Sequence, residues 1–115
     1  MMKTKVKRMS VMSLLIFSVI IALFAQSNKT EKFKVNGNCE SCKARIEKAA
    51  KSVDGVAKAD WNIQSEIIEV NFNPSKTSLD KIEFAIAKVG HDTKLHKATD
   101  KAYNALPECC RYKRE

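Results

Sequence analysis

The stretch Glu31-Lys32-Phe33-Lys34-Val35-Asn36-Gly37-Asn38-Cys39-Glu40-Ser41-Cys42 runs from a strand pattern, through a break, to a pair of cysteines. From Glu31 to Asn36 polar and apolar residues alternate, with Phe33 and Val35 on one face, the period of a half-buried strand. Gly37 and Asn38 end it. From Cys42 the spacing becomes helical: Ile46, Ala49, Ala50 and Val53 recur at i, i+3, i+4 and i+7. Lys43, Arg45, Glu47, Lys48 and Lys51 take the wet side, and Asp54-Gly55 stops the helix. Both cysteines therefore fall where a strand turns into a helix.

Further along the chain, Val56 to Trp61 reads as a second strand, Asn62 to Ser65 as a turn, and Glu66 to Phe72 as a third strand with Ile68, Val70 and Phe72 on one face. The short connection predicts a hairpin. After the loop Asn73 to Lys76, Thr77 or Ser78 can cap a second helix, with Asp80 in its first turn. Leu79, Ile82, Ala85, Ile86 and Val89 form its apolar stripe, and Gly90 ends it. Asp92 to Lys97 is expected as a fourth strand. The order β-α-β-β-α-β predicts an α+β, ferredoxin-like sandwich with both helices on one face of an antiparallel sheet.

The N-terminal side differs in composition. Lys3, Lys5, Lys7 and Arg8 precede an uncharged apolar run from Val11 to Ala25. A basic start, a short apolar run and a small residue at its end are the features of a secretory signal peptide. Residues 1–25 are thus expected as an export signal, 26–30 as a linker, 31–97 as the domain and 98–115 as a tail outside the minimal fold. This organisation places the domain in an extracytoplasmic compartment, the periplasm first, and not within a membrane. The formal net charge is +8, but from residue 26 onward 17 basic residues face 13 acidic ones, interspersed. With no basic stripe and aromatic interleaving, nucleic acid is not an expected partner. No Ser/His/Asp set, carboxylate pair or glycine-rich phosphate loop stands out, so a catalytic centre is not expected.

The chemistry lies in the cysteines. Cys39 and Cys42 form a C-x-x-C at the start of a helix, where negative charge is favoured, so the Cys42 thiol is expected to ionise readily, helped by Lys43 and Arg45. Two thiolates suit Cu(I), Hg(II) or Zn(II), although zinc usually wants four ligands. Spacing alone leaves a redox pair and a structural disulfide level with a metal site. The strand–loop–helix setting favours metal. A small thiol–disulfide oxidoreductase is the alternative.

Residues 31–97 resemble the heavy-metal-associated domain of copper chaperones, metal-pumping P-type ATPases and periplasmic mercury-binding proteins. The resemblance rests on Cys39-Glu40-Ser41-Cys42, the Ile46, Ala49 and Val53 helix, Gly55-Val56, Val70-Asn71-Phe72, and Ile82, Ala85, Ile86, Val89 and Gly90. It implies binding of a soft ion, copper first and mercury or zinc as alternatives, on Cys39 and Cys42. It also implies delivery by ligand exchange with a similar domain, such as that of a membrane metal transporter. The family usually reads Gly-Met-x-Cys-x-x-Cys, its methionine packing beneath the loop; here Gly37 stands in the methionine's place.

Beyond the resemblance, Leu106-Pro107-Glu108-Cys109-Cys110 brings two more sulfurs. Either they pair with each other, or the tail folds back, anchored by Tyr103 and Leu106, and adds at least one of them to Cys39 and Cys42. His91 and His96 read as polar surface residues, and Trp61 and Phe84 as packing residues.

Overall fold

The computed structural model describes residues 27–115; the expected export segment lies outside them. Strands β1 (Lys29–Lys34), β2 (Val56–Trp61) and β3 (Ile67–Phe72) form an antiparallel sheet in the order β1-β3-β2. Helices α1 (Glu40–Lys51) and α2 (Leu79–Lys88) follow β1 and β3. Val70 and Ile68 on β3, Ile46 and Ala50 on α1, and Ile82 and Ile86 on α2 share one core with Phe33, Val35 and Trp61. The helices therefore cover the sheet face that the period-2 pattern of β3 marked as apolar. β1 starts at Lys29, inside the expected linker, because Lys29 pairs with Phe72 and the Asn71 amide donates to Thr30 Oγ1. Ser78 caps α2 through its side chain.

The expected fourth strand at Asp92 to Lys97 is reduced to one bridge, Thr93 opposite Val35. Its residues prefer local partners. Thr93 N donates to the His96 carbonyl, and the Thr93 hydroxyl donates to the same carbonyl and accepts from His96 N. Leu95 points outward, 57% exposed, with its N–H on the buried Glu83 carboxylate.

The tail is part of the fold. A short helix α3 (Asp100–Asn104) is capped by Thr99, and a single 3₁₀ turn spans Glu108–Cys110. Leu106, Cys110 and Tyr112 are buried in the main core. Gly90, at φ +110, leaves no room beside the tail: a Cβ there would come 2.9 Å from Leu106 and from the Ala102 carbonyl. The Tyr112 hydroxyl accepts from Asp92 N and donates to the Gly90 carbonyl. Arg114 forks onto both Asp92 carboxylate oxygens, donates to the Ala98 carbonyl, and covers the Tyr103 ring.

Two surface assignments change. His91 is fully buried, not polar surface: its Nδ1 meets the Asn36 carbonyl and its ring stacks on Tyr112. Burial holds its pKa below the ordinary value, although the contact with Asn36 works the other way. Phe84, expected to pack, is 56% exposed and contacts the His96 ring edge-on.

Candidate metal centre

Cys39 is the N-cap of α1, and its sulfur accepts the Cys42 N–H, the place usually taken by a Ser, Thr or Asn oxygen. Its sulfur thus lies where the helix dipole favours negative charge. One turn on, Cys42 points into the core and is fully buried. Asn38 bridges the loop to it, giving its N–H to the Cys42 sulfur and accepting the Cys42 S–H on Oδ1. The two sulfurs are 3.1 Å apart.

A third sulfur joins them. Cys110 Sγ lies 3.2 Å from Cys39 Sγ, and the thiols of Cys39, Cys42 and Cys110 are all within 4.8 Å of one another. Arg45, one helical turn after Ser41 on α1, donates from Nη1 to Cys110 Sγ at 3.3 Å. Cys109 is exposed, its sulfur 3.8 Å from that of Cys110, and stands outside the group of three.

The ionisation order differs from the sequence expectation. Burial pushes the Cys42 thiol up to about 12, against the helpful Asn38 N–H, so the helix start does not make Cys42 the ready thiolate. Cys110 goes the other way. Burial opposes its ionisation, but hydrogen bonds from Ser41, Cys39, Cys42 and Arg45 outweigh that and bring it down to about 6. Lys43 Nζ is held elsewhere, by Glu47, Asp60 and the Trp61 carbonyl.

The heavy-metal-associated domain pattern matches residues 32–92, just over half of the chain. The chain belongs to the heavy-metal-associated domain family. Among curated proteins it is 39% identical over 66 residues to the copper-exporting P-type ATPase of Staphylococcus saprophyticus, 56% of this chain and 8% of the ATPase. The corresponding ATPase of Bacillus subtilis is 38% identical over 69 residues, covering 57% and 9%. The chain thus spans less than a tenth of the length of these relatives. Among solved structures, the CopZ metallochaperone is 32% identical with a TM-score of 0.55, over 56% of this chain and 98% of that one. Oxidized MerP from Ralstonia metallidurans CH34 is 30% identical with a TM-score of 0.56, covering 59% and 96%. The Cu(I)-loaded N-terminal domain of a potential copper-translocating P-type ATPase from Bacillus subtilis is 32% identical with a TM-score of 0.56, covering 64% and 94%. These matches also establish the ferredoxin-like fold, with its last strand here shortened to a bridge.

Within this heavy-metal-associated domain, the space below the loop is filled from across the sheet. The buried Trp61 ring lies where a Gly37 Cβ would come within 3.0 Å of it, and its Nε1 donates to the Val35 carbonyl. Gly37, at the position where the family usually has methionine, thus packs against Trp61. Glu66, in the left-handed region at φ 59, accepts the Gly37 N–H on its carboxylate and the Val35 N–H on its carbonyl. Asn38, Glu66 and Arg45 were not read as site-building residues from the sequence. Only Arg45 left a signal there, as positive charge near the cysteines.

Proposed function

We propose that this protein binds one soft metal ion, Cu(I) first, on Cys39 and Cys42 and passes it on by thiolate exchange. The observation that carries this reading is the pair of sulfurs 3.1 Å apart at the start of α1, one of them half-buried and within reach of solvent. Soft thiolates select soft ions, and a pair leaves zinc short of its usual four ligands. The cargo leaves as it arrived, so the protein is a carrier and not an enzyme. The copper-exporting ATPases among its relatives make a membrane metal transporter the natural partner. The basic start and apolar run of residues 1–25 support work outside the cytoplasm, in the periplasm.

Titration of the reduced protein with Cu(I), Hg(II) and Zn(II), each against a competing chelator, tests this. One equivalent of Cu(I) held far more tightly than Zn(II) is the expected result. A chain in which Cys39→Ser and Cys42→Ser together leave Cu(I) affinity unchanged would overturn the assignment.

A further inference from the structure

We infer that Cys110 is a third ligand to the cargo ion, delivered by a docked tail, so that the ion sits in a three-sulfur site and not on a bare pair. This deepens the reading above and rests on it. The donor set fits. An ion about 2.3 Å from each of three coplanar sulfurs holds them about 4.0 Å apart, and a linear two-sulfur ion holds its pair about 4.6 Å apart. The three sulfurs already lie within 4.8 Å of one another, with the near pairs at 3.1 and 3.2 Å. Trigonal binding therefore asks the near pairs to open by about 1 Å, and linear binding asks Cys39 and Cys42 to open by about 1.5 Å.

The position of Cys110 is built. Leu106 sits on Gly90, Tyr112 bridges Asp92 N and the Gly90 carbonyl, and Arg114 clamps Asp92, all within a few residues of the sulfur. Cys110 itself is fully buried beside Cys39. A tail that merely carried a surface cysteine would need none of this. Charge is also offset. Three thiolates on a monovalent ion leave two negative charges, and the Arg45 guanidinium touches the Cys110 sulfur while the start of α1 faces Cys39. Any thiol still protonated on entering the shell releases its proton to solvent, so binding involves no change of oxidation state. An acceptor thiolate must then enter a shell whose third place is already filled, and handover requires Cys110 to leave.

The test counts sulfurs. X-ray absorption at the metal edge of the Cu(I)-loaded full chain is expected to give three sulfur neighbours, falling to two in Cys110→Ser. The same substitution should weaken Cu(I) binding roughly tenfold or more, because even groups behind a ligand are worth that much. Cys109→Ser is expected to change neither. Since Cys110 is buried, Cys110→Ala is measured beside the serine variant, and circular dichroism confirms that both are folded. Two sulfurs in the unsubstituted protein, or unchanged affinity in both Cys110 variants, overturns the third ligand while leaving the pair intact. Absence of Cu(I) binding by the unsubstituted chain would instead sink the carrier reading itself.

Discussion

Trp61 lies directly beneath Gly37: a methyl group at Gly37 would come 3.0 Å from the indole and 3.2 Å from Cys42 Cβ. Neither neighbour is the free end of a flexible chain, so the contact cannot be relieved cheaply. Gly37→Ala is expected to cost about 1–3 kcal/mol by overpacking. Urea unfolding followed by Trp61 fluorescence measures it, and an unchanged midpoint would show that the loop has slack beneath it.

Cys39 and Cys42 should separate when each is replaced by serine. Both belong to the proposed metal site, but only Cys42 is fully buried. Cys42→Ser places a hydroxyl where a weakly polar sulfur sat and is expected to lower stability by about 1–2 kcal/mol, since Asn38 offers it only partial satisfaction. Cys39→Ser keeps a good N-cap oxygen and should unfold at nearly the original urea concentration. Equal losses from the two substitutions would contradict the burial difference.

The Arg114–Asp92 clamp should govern access to Cys110. At Asp92 burial opposes ionisation, but the Arg114 guanidinium and the Ala98 N–H more than compensate and hold the carboxyl below its usual range. Arg114→Met removes the fork and should expose Cys110 to alkylation. Mass spectrometry of the metal-free, reduced protein is expected to show Cys109 modified first in the original chain. In Arg114→Met the Cys110 rate should rise at least several-fold toward it. No change in the Cys110 rate would mean that the tail is held by Leu106 and Tyr112 alone.

His91 predicts an acid-side loss of stability. Its ordinary pKa is 6.5, and in the folded state burial lowers it, with Nε2 buried and unpartnered. Above pH 6.5 both states are neutral here and its contribution to stability is complete. As pH falls through 6.5 the unfolded chain takes up the proton first, so stability drops until the folded pKa is reached, by at most about 1.4 kcal/mol per pH unit. Urea midpoints between pH 7.5 and 5 measure the slope, and His91→Gln should flatten it. A slope just as steep in that variant would assign the loss elsewhere.

What the sequence made legible was local. The alternation of Ile68, Val70 and Phe72, the helical spacing of Ile46, Ala49 and Ala50, the Ser78 cap and the stop at Gly90 depend on near neighbours in the chain. The C-x-x-C was visible for the same reason. The strand expected at Asp92 to Lys97 failed because Thr93 and His96 bond to each other more readily than to β1. The fold-back of the tail was one of the two readings that Tyr103, Leu106 and the Cys109-Cys110 pair offered, but the burial of His91 and the contacts that hold the tail depend on Tyr112 and Arg114 reaching back about twenty residues, which no local pattern announces. The acidity expected of Cys42 belongs to Cys110, because Ser41, Cys39, Cys42 and Arg45, all far from it in the chain, hydrogen-bond to that sulfur.

Cys42 and Cys110 stand 68 positions apart in the chain. An ion gripping both would act as a removable staple across nearly the whole domain. In a chain-entropy account, tying off a loop of that size is worth roughly 4 kcal/mol against the unfolded state. Cargo and carrier would then protect each other. Unloaded protein would open more often and fall first to proteases, while loaded protein would persist. The amount of folded protein present would follow the supply of metal, with no separate sensor to report it.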